Sequence, residues 1–452
     1  MTKTSESHPA PDAPTREIAA WVASRPRIDE AAMTWARHCL LDWLGVTLAG
    51  AGEDLVDILV AEALADDGAG TAPLIGRDEE LSPSWAILVN GAASHALDFD
   101  DVNTAMHGHP TVAVMPAVLM AGARDGRSLE DVLRAFAVGY EVCCLVGEMS
   151  GDGHYDKGWH ATATVGTFGA AAGMAALMEL PIDRTAHALG AAATMAAGLK
   201  SMFGTMCKPY HAGRAAQSGW LAARLAARGW VAREDALECP QGFWATQAPQ
   251  PAPFGLGTRG NAALQITNNL FKYHAACYLT HSSIEACKAL REAHDLSSER
   301  IARVRVRVAE GHLRVCNIPD PATGLEVKFS LRHTAAMALS GVDTGSSSAY
   351  TDAVANRPDL VALRERVEVE PQPSARTMTT GADVVIDTLD GMSVTNAFDV
   401  GVPATDLSAQ QSRLIDKFHT LADTVLGSRA PALRDMVLGG APDAAALLAA
   451  AR

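Results

Sequence analysis

Residues 301–308 read Ile-Ala-Arg-Val-Arg-Val-Arg-Val, and this stretch decides how the 452-residue chain divides. Apolar and charged residues alternate with period two, the pattern of a strand with one dry and one wet face. Val367-Glu368-Val369-Glu370 repeats the pattern, and residues 383–399 hold two strand-like runs joined at Asp390-Gly391, a hairpin dipeptide. Helical patterns at 281–295, 330–340 and 358–365 lie between these runs. Residues 270–402 are therefore expected to form an α+β unit.

Outward from this unit the period becomes helical. Residues 31–49 (AAMTWARHCLLDWLGVTLA) place Trp35, Cys39, Leu40 and Trp43 on one side and stop at Gly50, as a C-terminal glycine stops a helix. Segments 82–97, 110–123, 128–147, 161–179, 183–198 and 213–229 continue the series, and 408–426 and the Ala-rich tail after Asp443 return to it. The expected fold is mainly α. A large all-α helical domain is formed by both chain ends (17–269 and 403–452), with a smaller α+β domain (270–402) inserted and a disordered tail at 1–16. Residues 241–261 (QGFWATQAPQPAPFGLGTRGN), rich in proline and glycine, read as a long ordered loop leading into the second domain.

A net charge of −15 argues against nucleic acid and anionic membranes, since nothing resembles a basic face with stacking aromatics. The most membrane-like run, 161–180, is built from Ala, Gly and Thr and contains Glu179, which fits a tightly packed buried helix better than a bilayer span. Residues 1–16 lack the apolar core of a signal peptide. Eight cysteines without a CxxC imply reduced thiols and a cytoplasmic setting.

Within this acidic chain, residues 184–284 invert the balance. Acids occur there only at Glu234, Asp235 and Glu238, while Lys200, Lys208, His211, Arg214, Lys272, His274 and His281 punctuate a small, apolar sequence. Cations without acidic partners suit a small anion, although cations near helix ends also cap carbonyls or sit in water. At the centre lies GTMCKPYHAGR (204–214), whose glycine and proline breaks would let backbone and side chains converge on a ligand.

Two further clusters carry chemistry. DFDDVNTAMHGHP (98–110) puts three carboxylates and two imidazoles in a loop between helices. Lys157-Gly158-Trp159-His160 places His160 at the start of the small-residue helix, where the dipole favours an anion. If these groups coordinate a metal, His107 and His109 with Asp100 or Asp101 make a hydrolase site. If they move protons, a lysine and histidine pocket binds a di- or tricarboxylate and transfers a proton beside a carboxylate. The surrounding cations favour the second, because they would repel a metal. A pocket without turnover, binding a carboxylate only, is the third reading.

DFDD followed by His-Pro (98–101, 109–110), KGWHATATVGTFGAAA (157–172), CKPYHAGRAA (207–216), NLFKYHAACYLTHSSIEA (269–286) and GLEVKFSLRH (324–333) together resemble the MmgE/PrpD family, in order and over nearly the whole chain. The family includes 2-methylcitrate dehydratase, cis-aconitate decarboxylase and iminodisuccinate epimerase. The resemblance implies a helical domain with an α+β lid, a homodimer, and no metal or organic cofactor. It implies a cofactor-independent dehydratase or decarboxylase acting on a small polycarboxylate, with epimerisation as the alternative. Position by position, it marks Asp98, His109, His160, Lys208 and Lys272, with His211 and His281 at neighbouring matched positions. The roles expected are His109 and Lys208 as acid/base groups, Asp98 holding His109 in orientation, and His160, His211, Lys272 and His281 binding substrate.

Overall fold

The structure is a computed structural model and describes residues 13–248, 263–372, 379–440 and 443–452. It forms two compact units, one of Met1–Asn269 with Ala422–Arg452 and one of Leu270–Leu421. Helices dominate the described residues, so the chain is mainly α.

In the first unit the order is α1 (Pro14–Ala23), α2 (Glu30–Gly50), α3 (Asp54–Asp66), the short strands β1 (Ala72–Pro73) and β2 (Glu80–Leu81), α4 (Pro83–His95), α5 (Pro110–Arg124), α6 (Leu129–Asp156), α7 (Ala161–Leu177), α8 (Ile182–Met195) and α9 (Cys207–Ala227). The single turn α10 (Phe243–Gln247) follows. The small-residue run 161–177 is the central helix of the unit. Of its seventeen residues all but Ala176 are buried, and it packs on α5, α6, α8 and α9. A helix buried on every side needs no polar stripe, which explains its composition. Among the described residues no helix is long and apolar enough to cross a membrane.

Glycines set how closely the helices around the site approach. A Cβ on Gly213 of α9 would stand 2.1 Å from the Leu88 carbonyl oxygen of α4, and one on Gly91 would stand 2.6 Å from Gly213 Cα. The two backbones therefore touch at a crossing that only glycine permits. The helix expected from Gly213 starts six residues earlier. The block from Cys207 onward is the start of α9, with Pro209 in the first turn, where its missing N–H costs no hydrogen bond.

Two further boundaries differ from expectation. The helix begun at 128 runs to Asp156 with a kink at Gly151 (φ 62°, ψ 179°). Residues 14–16, expected in the tail, belong to α1, because Thr15 is buried and its Oγ1 donates to Glu238 Oε2 at 2.5 Å, while Arg16 pairs with Asp183 at 3.0 Å and with Glu234. The other residues of the expected tail, apart from Ala13, and residues 249–261 of the expected loop lie outside the described residues.

The second unit contains α11 (His281–His294), β3 (Ile301–Ala309), α12 (Glu310–Val315), α13 (Gly324–Val327), α14 (Leu331–Leu339), α15 (Asp352–Ala355), α16 (Pro358–Arg364), β4 (Val367–Gln372), β5 (Ala382–Thr388), β6 (Ser393–Phe398) and the start of α17 (Leu407–Leu426). After α17 the chain continues in the first unit as α18 (Ala430–Gly439) and α19 (Ala444–Ala450). The sheet order is β4-β3-β5-β6, with β3 parallel to β4 and antiparallel to β5, and β5 antiparallel to β6. Ile301, Val304, Val306 and Val308 enter a core shared with Ile284, Cys287 and Leu290 of α11 and Leu331 and Ala335 of α14. The alternate arginines stay on the wet face, where Arg305 meets Asp387 at 2.9 Å and Arg307 meets Glu370 at 3.0 Å. The period-two reading holds from Arg303 to Val308, while an irregularity in the pairing between Ile301 and Arg303 shifts the register, so that Ile301 is buried and Ala302 and Arg303 are both exposed.

Candidate active site

The site grows from the ends of four helices in the first unit. His95 closes α4, and the chain turns through Asp98, which holds the left-handed conformation at φ 51°. Aspartate tolerates that region better than most side chains. His109 is the N-cap of α5, and its N–H donates to Thr162 Oγ1 at 3.1 Å. His160 is the N-cap of α7, with its N–H donating to the Gly198 carbonyl at 3.0 Å. Lys208 and His211 come from the first turns of α9. Three helix N-termini and four basic side chains therefore meet beside a histidine at the end of α4, a field suited to an anion.

The centre of this arrangement is Asp100, which is buried. Its Oδ1 lies 2.8 Å from His95 Nδ1 and its Oδ2 lies 2.8 Å from His109 Nδ1. His109 Nδ1 also lies 2.9 Å from the Asp101 carbonyl oxygen, and the ring's N–H is better aligned with that carbonyl than with the carboxylate. On its other edge, His109 Nε2 is 3.7 Å from Asp98 Oδ1, which is itself 2.8 Å from Lys208 Nζ. His160 and His211 face each other Nδ1 to Nδ1 at 3.1 Å, so one ring donates to the other. The ring centroids of His95 and His109 are 4.5 Å apart, and those of His95 and His160 are 6.1 Å apart. Phe203 sets its ring edge-on to His160 at 5.0 Å.

Burial and mutual charge shape the protonation of these groups. Burial by itself would raise Asp100, but the imidazoles of His95 and His109 overcome it and hold the carboxyl well below its usual range. Burial pushes His95 down to about 4, with Lys208 and His109 adding to it and Asp100 opposing. His160 is driven well below the ordinary histidine value by burial and by His95, Lys208, His109 and His211, and His211 is lowered by burial and by His95. Asp101 behaves in the opposite way. Burial and the nearby Asp42 raise it to about 7, although Thr111 Oγ1 and Asn269 Nδ2 donate to its Oδ2 at 2.5 and 2.8 Å.

The structure brings Asp98, His109, His160, Lys208 and His211 together. Lys272 and His281 belong to the second unit. There His281 is buried, its ring 5.0 Å from that of His274, whose Nε2 lies 3.1 Å from Glu285 Oε1. One expectation is corrected. The cations of 184–284 are not without partners, since distant segments supply Asp98 to Lys208 and the Tyr155 ring to Lys200. Asp98 is half-exposed, pairs with Lys208 and lies 3.7 Å from His109 Nε2, while the Asp101 carbonyl bonds the Nδ1 edge of His109 and Asp100 Oδ2 lies 2.8 Å from the same nitrogen.

Sequence reasoning passed over His95. The signal was present in the spacing His95-Ala-Leu-Asp-Phe-Asp100, which sets an imidazole at a helix end just before the acidic loop. It was hidden because a histidine on an apolar helix is usually a core residue.

The metal-hydrolase ligand set is not assembled, because His107 Nε2 lies 3.3 Å from Asp152 and the Asp101 carboxylate is engaged by Thr111 and Asn269. A different set does come together. His95, Asp98, Asp100 and His109 each offer an atom within 4.8 Å of the others. Its geometry fits a metal poorly. Both Nδ1 atoms face oxygen acceptors and so carry protons, and the Lys208 ammonium already supplies the positive charge at Asp98. A cavity of about 270 Å³ lined by Thr71, Met120, Arg124, Leu448 and Arg452 includes none of these residues.

The MmgE/PrpD N-terminal domain matches residues 16–253 and the MmgE/PrpD C-terminal domain matches residues 274–438. Cis-aconitate decarboxylase of Aspergillus terreus is 27% identical over 97% of this chain and 95% of its own length. The proteins of the same name from Mus musculus and Homo sapiens are 28% and 27% identical, each over 86% of this chain and 82% and 83% of their own lengths. With both domain models matched across most of its length, the chain belongs to the MmgE/PrpD family.

Proposed function

We propose that this MmgE/PrpD lyase acts on a small unsaturated or hydroxylated tricarboxylate of the cis-aconitate type, by decarboxylation or dehydration, without a metal or organic cofactor. The observation that carries the reading is the convergence of Lys208, His109, His160 and His211 at three helix N-termini around one buried carboxylate, Asp100.

In this reading Lys208 and the His160/His211 pair hold substrate carboxylates by charge-assisted hydrogen bonds. For decarboxylation, the C–C bond to one carboxylate breaks, carbon dioxide leaves, and the electron pair passes into an enolate-like species on the adjacent unsaturated acid. The Lys208 ammonium and the imidazole N–H donors stabilise that species more than the ground state. A proton then reaches carbon from His109 Nε2 or Lys208 Nζ. For dehydration, one of these groups removes a proton from carbon and another protonates the departing hydroxyl. The relatives named for cis-aconitate decarboxylation support the first course. The free state of all eight cysteines supports a reducing compartment, and a homodimer is the assembly the family resemblance implies.

Incubation with cis-aconitate, citrate, 2-methylcitrate and iminodisuccinate in deuterated water, followed by NMR, tests the reading. A decarboxylated or dehydrated product is expected from one of the tricarboxylates, with one solvent deuteron on carbon after decarboxylation. No turnover of any of them overturns the lyase assignment to this substrate class, and activity lost on chelation and restored by a metal overturns cofactor independence.

A further inference from the structure

We propose that His95 is a positioning residue whose Nδ1–H anchors Asp100, so that Asp100 in turn holds His109 in the tautomer that presents a lone pair at Nε2. This inference rests on the acid–base reading of the site and adds to it a group that does not itself meet substrate.

His109 Nδ1 lies 2.8 Å from Asp100 Oδ2 and 2.9 Å from the Asp101 carbonyl oxygen. An ionised carboxylate and a carbonyl can only accept, so the ring proton belongs on Nδ1 and the lone pair on Nε2. Nε2 is the edge that faces Asp98 and, through it, Lys208. When Nε2 takes up a proton, the resulting imidazolium stands beside the Asp100 carboxylate, which stabilises it.

This works only while Asp100 stays ionised, and Asp100 is 1% exposed. Its Oδ1 has His95 Nδ1 at 2.8 Å as donor, while Oδ2, although 2.8 Å from His109 Nδ1, has no aligned donor because the ring N–H points to the Asp101 carbonyl. Without His95 the buried carboxylate has no aligned donor at either oxygen, and protonation becomes the cheaper state. A protonated Asp100 is a donor at Oδ2 and would push the lone pair of His109 to the wrong nitrogen. His95 supplies its bond without adding a charge, since its ring is fully buried and neutral at physiological pH. Its Nε2 has no hydrogen-bond partner, so its polar contact with the site runs through Nδ1. The other charged or titratable groups around the His95–Asp100–His109 chain are His160 at the start of α7, Lys208 and His211 on α9, and Asp98 and Asp101 on the loop of Asp100. Asp42 of α2 stands behind Asp101. His95 and His109 are the two that lie against the carboxylate oxygens.

The test uses the full chain with ¹⁵N-labelled histidine. Long-range ¹H–¹⁵N spectra read the tautomer of His109, and kcat/KM is followed against pH with whichever tricarboxylate the enzyme turns over. The wild type is expected to show the Nδ1–H tautomer. His95→Leu should mix the tautomers, lower kcat about tenfold with little change in KM, and move the acid limb of kcat/KM upward by about one pH unit. His95→Asn, whose amide N–H stands near the position of Nδ1, should restore both the tautomer and the limb. An Nε2–H tautomer in the wild type overturns the proposal whether or not any variant folds. A folded His95→Leu with unaltered tautomer and pH limb overturns it as well. If the wild type turns over no tricarboxylate, the functional reading fails and the tautomer measurement still decides the role of His95.

Discussion

Lys208 Nζ and Asp98 Oδ1 lie 2.8 Å apart, joining the first turn of α9 to the loop that follows α4. The pair has an unequal character. The Lys208 side chain is 15% exposed and the Asp98 side chain 43%, so the lysine is largely withdrawn from water while its partner sits at the mouth of the site. A substrate carboxylate can therefore replace Asp98 at the ammonium without leaving a buried charge unpaired.

Replacing Lys208 by Ala is expected to lower kcat/KM by about 10²-fold or more, because both carboxylate binding and charge stabilisation are lost. Stability should fall by about 1 kcal/mol or less, since the half-exposed Asp98 is left to solvent. Steady-state kinetics with thermal melts check this. A near-normal rate would remove Lys208 from the chemistry.

His109→Ala should lower kcat by about 10²- to 10⁴-fold, the usual contribution of a positioned proton donor or acceptor. Binding of a tricarboxylate, measured by calorimetry, should weaken far less, because Lys208, His160 and His211 remain. Equal losses in binding and in rate would instead make His109 a binding group.

Gly213→Ala should be severely destabilising, costing about 3 kcal/mol or more, because the new Cβ falls 2.1 Å from the Leu88 carbonyl oxygen. Since α4 carries His95 and α9 carries Lys208 and His211, activity should fall further than the loss of folded protein explains. Chemical denaturation and specific activity per folded molecule separate the two effects.

The fold should lose stability in mild acid. His95 is depressed to about 4 from the 6.5 of an ordinary histidine, and His160 and His211 shift the same way. Between these values the unfolded chain binds more protons than the native one, so their contribution is present above pH 6.5 and lost as pH falls toward 4. For His95 alone the effect is roughly 3 kcal/mol, at about 1.4 kcal/mol per pH unit. Asp101, raised to about 7, works in the opposite sense over the same range: its protonated form suits the fold, and it costs stability as pH rises from about 4 to 7. Urea melts from pH 4 to 8 should show a shallower pH slope between 4 and 6.5 in His95→Asn and a steeper one in Asp101→Asn.

The secondary structure was largely readable because it follows from local periodicity. The alternation of 301–308 placed a strand with an arginine face, and the density of Ala and Gly in 161–179 marked a helix buried all round. The same glycines misled where their reason was tertiary. Gly213 read as the break at which a helix begins, but it lies inside α9 and serves the contact with Leu88 and Gly91, which no pattern near residue 213 reveals. Residues 14–16 read as tail because the groups that hold them, Asp183, Glu234 and Glu238, lie more than 160 positions away.

By itself the sequence determined the mainly α composition, the family blocks and the residue types of the site, since these depend on composition, period and order along the chain. Only the tertiary structure decided that Asp100 meets both imidazoles while Asp98 meets Lys208. Successive residues in a loop with a positive φ point in directions that follow no period. Three aspartates within four positions are equivalent on paper until α4, α5, α7 and α9 close around them and leave two buried and the third half in water.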